Sequence, residues 1–285
     1  MVNPKPLRQG SAFVLGGGGS RGAVQVGMLA ELADREIIAD RVYGASVGAV
    51  NAAAYSSDPT RAGVQRIADV WTRLRPEDIF PHPLVHGPWA FFQQRTSVYA
   101  NSGLREVLER GLSVRFIEDT TVPLEVVATS LLDGGERWLS KGPIVEAVLA
   151  SAAIPGIFPP VSIGGEPMID GGVVNNVPIS RPIDAGLATI YVLLCGPRNH
   201  RSELARRPIE AVVSGFLTAV HSRFARELSV LGDDVDVVVF DGSGRAAGDF
   251  RDFSSSQSLF DAGRREVDKV LEAMRSSRGH NTLVD

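Results

Sequence analysis

The stretch SAFVLGGGGSRG, Ser11 to Gly22, constrains the fold more than any other part of the sequence. Ser11–Leu15 is short, uncharged and mostly apolar, which suits a buried strand, and four consecutive glycines then allow a turn that bulkier residues would block. Beyond Ser20, small and apolar residues recur at Ala23, Val26, Gly27, Ala30 and Ala33. That spacing follows the helical period and predicts a helix over Ser20–Ala33 lying close on a sheet. Within the turn, Gly17-Gly18-Gly19-Ser20-Arg21-Gly22 also satisfies G-x-G-x-x-G. One reading is therefore a dinucleotide cradle, which needs an acidic residue about 20 positions further on. Asp40 stands at that distance, although Glu36–Ala39 is short for the strand that should precede it.

The β-turn-α start repeats along the chain. Arg41–Tyr43 reads as a strand, Ser46–Tyr55 and Pro59–Leu74 as helices, and Ser102–Gly111 as a short helix. Pro123–Leu132 reads as a strand paired with Glu136–Ser140, Pro143–Ala153 as a helix, and Val161–Ile163 with Pro167–Ile169 as a hairpin around Gly164-Gly165. Thr189–Leu194 and Val235–Phe240 are apolar runs suited to strands covered on both faces. A helix with Val213, Phe216, Val220, Phe224, Leu228 and Leu231 in register lies between them, and a final helix carries Val267, Val270, Leu271 and Met274. The expected fold is α/β, a central mainly parallel sheet sandwiched between helices in three layers. Residues 1–10 read as an extension, 11–275 as one domain and 276–285 as a fraying tail.

Of the 285 residues 44% are hydrophobic and the net charge is −4, which supports a sizeable core and gives no electrostatic footprint for nucleic acid. The single cysteine, Cys195, excludes an internal disulfide and a cysteine-based zinc site, and its apolar surroundings suit a buried strand thiol. No apolar run suits a signal-peptide core or the roughly 20 residues of a transmembrane helix, so a cytoplasmic protein is expected.

Chemistry enters at Gly44-Ala45-Ser46-Val47-Gly48, a G-x-S-x-G elbow between an expected strand and helix. The turn would leave the Ser46 hydroxyl at a helix N-terminus, where developing negative charge is stabilised. A serine nucleophile needs a base. His82, His86, His200, His221 and His280 all sit in proline-rich, arginine-rich, helical or terminal contexts that suit structural or solvated roles better. Asp170, which follows an apolar strand and precedes Gly171-Gly172, is the carboxylate candidate. Asp133-Gly134-Gly135 has the same letters but reads as a hairpin turn.

Three blocks in order, Gly17 to Gly22, Gly44 to Gly48 and Asp170-Gly171-Gly172, resemble the patatin-like phospholipase family, in its bacterial single-domain type. Ala150-Ser151-Ala152-Ala153-Ile154-Pro155-Gly156-Ile157-Phe158-Pro159-Pro160 is similar to the signature before that family's aspartate. The resemblance runs to about Val177-Pro178 and implies a Ser-Asp hydrolase of lipid acyl esters. Ser46 would be the nucleophile, Asp170 the base, and the amides of Gly17, Gly18 and Gly19 the oxyanion hole, with Arg21, Gly22, Gly44, Gly48, Gly171 and Gly172 in support. An aspartate at its ordinary pKa of about 3.9 is a weak base for a hydroxyl, so burial and a complete oxyanion hole would have to compensate.

A lipid substrate and peripheral contact with a membrane surface follow from the resemblance. No cofactor and no metal are expected, because neither a nucleotide phosphate loop nor a His/Cys cluster is present. Three rivals stand beside this reading: a dinucleotide-binding oxidoreductase, an α/β-hydrolase with His200 as base, and an idle lipid-binding protein of the same fold. The proline and aromatic run Phe80–Phe92, with Trp89, Phe91 and Phe92, is the candidate lid of an acyl channel. The basic stretch Arg198, Arg201, Arg206 and Arg207 reads as a solvated loop.

Overall fold

The computed structural model describes residues 8–81, 97–197, 223–229, 234–242 and 251–280. The strands are β1 (Ser11–Leu15), β2 (Arg41–Ala45), β3 (Leu124–Ser130), β4 (Glu136–Leu139), β5 (Val161–Ile163), β6 (Glu166–Asp170), β7 (Thr189–Leu193) and β8 (Asp236–Phe240). Among the described residues they form one sheet in the order β5-β6-β3-β2-β1-β7-β8, with β4 pairing on β3. From β3 through β2, β1 and β7 to β8 every neighbour is parallel, whereas β4, β5 and β6 join antiparallel. The expected mainly parallel sheet is present, and both of its faces are covered. Phe13 and Leu15 of β1 turn toward one core while Ala12 and Val14 turn toward the other, the two-residue alternation of a strand.

The first core is covered by α1 (Ala23–Asp34), α2 (Val47–Ser57), α3 (Arg61–Arg73) and the final helix, Ser256–His280. A single 3₁₀ turn, Gly19–Gly22, joins the glycine run to α1. Thr60 caps α3 by accepting the Gly63 N–H, which relieves one of the unpaired amides at a helix start. Phe224, in the helical segment 223–229, packs into the second core. None of the helices among the described residues is long and apolar enough to cross a membrane.

Three differences from the sequence reading have local causes. The strand expected to reach Leu132 ends at Ser130, whose carbonyl accepts the Gly134 N–H in the turn; Leu131 and Leu132 are exposed. The short helices Gly172–Asn175 and Ser180–Asp184 were not expected, because four or five residues carry no period to detect. The helix expected from Ser20 begins at Ala23, because the preceding residues, Gly19–Gly22, form the tighter 3₁₀ turn. Residues 82–92 of the candidate lid, the basic stretch from Arg198, and Val213, Phe216 and Val220 of the expected long helix lie outside the described residues.

α1 and the final helix meet at backbone distance. A Cβ on Gly27 would sit 1.9 Å from the Phe260 carbonyl oxygen. Ion pairs of Arg35 with Asp268 and of Arg264 with Asp34 flank this contact, but such surface pairs are worth at most about 1 kcal/mol each. Gly27→Ala therefore separates two effects of opposite sign. Helix propensity alone would stabilise the variant by about 1 kcal/mol. The clash predicts the reverse, a loss of about 1–3 kcal/mol in urea unfolding.

Candidate active site

The chain leaves β2 at Ala45 and enters α2 at Val47, with Ser46 as the single residue between them. Its φ of 56° and ψ of −128° lie where non-glycine residues are strained by about 1–3 kcal/mol. The surroundings hold it there. Its N–H donates to Ser151 Oγ at 3.1 Å, and the Ser151 hydroxyl donates in turn to the Val127 carbonyl at 2.6 Å. The Ser46 carbonyl accepts the Ala49 N–H at 2.9 Å. Gly48 lets α2 press against the end of β1, since a Cβ there would fall 2.1 Å from the Leu15 carbonyl oxygen.

Asp170 ends β6 and is fully buried. Its Oδ2 accepts the Ser46 hydroxyl at 2.7 Å and its Oδ1 accepts the Gly172 N–H at 2.7 Å. Its backbone is fixed on both sides, by Ala153 O at 2.9 Å and Thr129 Oγ1 at 2.8 Å. Removal from water pushes its carboxyl up to about 7, against the lowering effect of the two hydrogen bonds. Asp133 behaves differently: it accepts the Gly135 N–H within an exposed turn, and Arg137 holds its carboxyl below the ordinary range. Of the five histidines only His280, at the end of the final helix, lies among the described residues.

The glycine turn lies beside Ser46, for a Cβ on Gly17 would come within 2.9 Å of the Ser46 Cβ. Gly16 N–H donates to Leu193 O and Gly17 N–H to Asn176 O, at 3.2 and 3.1 Å. Among the described residues no protein acceptor takes the N–H of Gly18 or Gly19. Of the turn amides, that of Gly17 is thus engaged in holding the turn. Arg21 Nε donates to Gly18 O at 3.4 Å, a loop-tying contact. Cys195 packs beneath the turn, and burial pushes its thiol up to about 12, which leaves it a packing residue.

Asp40 corrects the dinucleotide reading. It sits immediately before β2, at the end of the sheet opposite the glycine turn, and binds the Ser11 amide at 2.7 Å. A ribose-binding carboxylate must stand at the carboxyl ends of the strands, beside the turn. Asp40 cannot serve.

A cavity of about 350 Å³ opens from Gly19, Ser20 and Ser46. Its walls are largely apolar and include Val50, Ile67, Trp71, Leu104, Phe158 and Phe253. Phe80, the first residue of the candidate lid, lines it too and stacks on Phe158 with ring centroids 5.5 Å apart. Among the described residues no group of three or more His, Cys, Asp or Glu side chains could hold a metal ion. Sequence reasoning passed over Ser151 as a support of Ser46, and over Gln25 and Asn51. The last two are polar residues inside otherwise small or apolar helices, and that was the available signal.

Comparison with known proteins shows the family and the fold. Residues 13–183, more than half of the chain, match the family described as patatin-like phospholipase. Patatin-like phospholipase domain-containing protein 7 of Rattus norvegicus is 28% identical over 190 residues, covering 66% of this chain and 14% of that protein. Patatin-like phospholipase domain-containing protein ZK370.4 of Caenorhabditis elegans is 30% identical over 168 residues, covering 58% of this chain and 12% of that protein. The chain thus spans about a seventh of the length of these curated relatives. In fold, it is similar to VipD from Legionella pneumophila, with a TM-score of 0.50 and 14% identity over 96% of this chain and 72% of that one. By the match over residues 13–183, the chain belongs to the patatin-like phospholipase family.

Proposed function

We propose that this protein is a serine hydrolase of lipid acyl esters, with Ser46 as nucleophile, Asp170 as base, and the Gly18 and Gly19 amides as oxyanion donors. One observation carries the reading: the Ser46 hydroxyl donates directly to a fully buried carboxylate at the mouth of an apolar cavity. The family supplies the lipid substrate class.

The chemistry follows from the contacts. Ser46 Oγ attacks the ester carbonyl carbon while its proton passes to Asp170 Oδ2 over the 2.7 Å contact. The carbonyl oxygen, now negative, accepts from Gly18 and Gly19, and the positive end of α2 behind Ser46 adds to its stabilisation. Collapse breaks the bond to the alcohol, which leaves with the proton from Asp170. Water then attacks the acyl-serine with Asp170 again as base, and the proton passes from Asp170 to Ser46 Oγ as the fatty acid departs. A carboxyl near 7 matches both roles, since it is ionised enough to accept a proton and acidic enough to return it.

Ser46→Ala and Asp170→Asn should each lower kcat/KM by at least about 10³ on a panel of phospholipids, lysophospholipids and short esters. Unchanged hydrolysis in both variants would remove the pair from the mechanism. For the wild type, kcat/KM should rise with pH and level off above an apparent pKa near 7, because the base must be ionised. A profile limb near the ordinary aspartate value would assign the base elsewhere.

Asp170→Asn should also change stability, with a sign set by linkage. The folded carboxyl titrates near 7 and the unfolded one near its ordinary 3.8, so between these values the native state binds the extra proton. Wild-type stability therefore falls as pH rises through that window, by up to about 4 kcal/mol. Asparagine keeps the geometry, accepting from Gly172 and donating to Ser46 Oγ, and titrates nowhere. The inactive variant should unfold at the wild-type temperature near pH 4 and well above it at pH 8. Equal melting temperatures at both pH values would contradict a desolvated carboxylate.

A further inference from the structure

Three side chains outside the Ser46–Asp170 pair form a continuous buried chain of hydrogen bonds. Gln25 in α1 donates from Nε2 to Gly16 O at 2.8 Å and to Leu193 O at 2.9 Å. Asn51 in α2 donates from Nδ2 to Gly22 O at 3.0 Å and to Gln25 Oε1 at 2.9 Å. Trp71 in α3 donates its indole N–H to Asn51 Oδ1 at 2.9 Å. Gln25 and Asn51 are fully buried and Trp71 nearly so.

The placement of the acceptors gives this chain a purpose beyond packing. Gly16 and Gly22 are the two ends of the glycine turn, and each carbonyl is held by one amide of the same Gln25–Asn51 unit. Between those anchors lie Gly18 and Gly19, whose N–H groups have no protein acceptor among the described residues. The turn is thus clamped at both ends and left open in the middle. Trp71 and Asn51 also line the apolar cavity. Its wall and the glycine turn therefore share one hydrogen-bonded unit across three helices.

Each bond also fixes the next. The indole N–H can only donate, so Trp71 makes the facing Asn51 atom the amide oxygen. Asn51 Nδ2 must then point toward Gly22 O and Gln25 Oε1, and Gln25 in turn presents its NH₂ to Gly16 and Leu193. A buried network with every polar atom satisfied is rigid, and losing one donor leaves its buried partner unpaired.

We infer that Gln25, Asn51 and Trp71 are positioning residues that brace the glycine turn so that the Gly18 and Gly19 amides face the developing oxyanion. The inference rests on the serine hydrolase reading above. It assigns Trp71 two separable functions, the indole N–H for the turn and the ring for the cavity wall.

Trp71→Phe keeps an aromatic ring in the wall and removes the donor. Asn51→Asp keeps the acceptor for Trp71 and removes both donors. Purified wild type, the two single variants and the double variant would be assayed on p-nitrophenyl butyrate and p-nitrophenyl palmitate, with circular dichroism and thermal melting to establish folding. A misplaced oxyanion donor should lower kcat by about ten- to a hundredfold with KM nearly unchanged. The factor should be the same for the short and the long ester, and the apparent pKa of the pH profile should not move. The double variant should lose no more than the worse single one, since both changes break the same chain. If Asn51→Asp does not fold, Trp71→Phe carries the test by its kcat on the two esters.

Unchanged kcat in folded Trp71→Phe would overturn the brace, and so would a loss confined to the palmitate ester, which would make Trp71 a wall residue alone. A wild type that hydrolyses neither ester and is not labelled at Ser46 by a fluorophosphonate would overturn the hydrolase reading and the brace with it. That result is distinct from an active wild type whose variants lose nothing.

Discussion

The hydrogen bond between Ser46 and Asp170 sets the terms for the rest of the molecule, because two separate parts of the sheet must be brought into register to make it. Ala45 is level with Val127 across the parallel β2–β3 pair, and Ala128 is level with Asp170 across the antiparallel β3–β6 pair. β4 faces both Val127 and Ala128 from the other edge of β3, so β2 and β6 share one edge and their carboxyl ends meet head to head, at Ser46 and Asp170. The Ser46 hydroxyl and the Asp170 carboxylate close that junction with a hydrogen bond of 2.7 Å. The switch from parallel to antiparallel pairing at β3 is what makes the meeting possible. It brings the carboxyl end of β6 to the level of the elbow, where the returning strand of a parallel crossover would put its own carboxyl end beside that of β3.

Holding this contact works against stability at two points. Ser46 is kept at a positive φ, and Asp170 is kept away from water with no cationic partner among the described residues. Ser151 bears on both. Its hydroxyl satisfies the Ser46 amide and the Val127 carbonyl, while its own carbonyl takes the Gly171 N–H immediately after Asp170. One buried residue at the end of the helix Ile144–Ser151 thus ties the elbow, β3 and the aspartate segment together. Strain and desolvation of this kind persist only where the surroundings over-determine the geometry, and they are characteristic of sites built to react.

What was legible in the sequence follows from this physics. The glycine turn, the elbow and Asp170-Gly171-Gly172 could be read because each demands residue types that few other backbone conformations need. The strands and longer helices could be read because burial imposes a period. Gln25, Asn51 and Trp71 could not be joined, since 26 and 20 positions separate them and nothing local marks a glutamine in one helix as the partner of an asparagine in the next. The direction of Asp40 was equally hidden. Its distance from the glycines suited a ribose ligand, and only the run of β2 away from it shows that it lies at the wrong end of the sheet. Leu131 and Leu132 looked like strand residues by composition, yet the chain turns after Ser130, whose carbonyl accepts the Gly134 N–H, and only the Leu131 amide still reaches β6, at Pro167 O.

The division of labour along the chain has a further consequence. The residues that match the family, 13–183, contain Ser46, Asp170, the glycine turn and the three side chains beneath it. The later segments complete what those residues leave open. Leu193 of β7 receives both the Gly16 amide and Gln25, and Cys195 packs under the turn. Phe253 closes one wall of the cavity against Trp71, with ring centroids 6.0 Å apart, just ahead of the helix that docks on α1 through the Gly27 contact. Sequence change in the later segments would reshape the cavity while leaving the Ser46–Asp170 contact intact. Change at Gln25, which does not line the cavity, would act through the turn alone. In the proposed hydrolase, substrate selection and bond cleavage would rest on neighbouring side chains, and Trp71 is the residue at which they would meet.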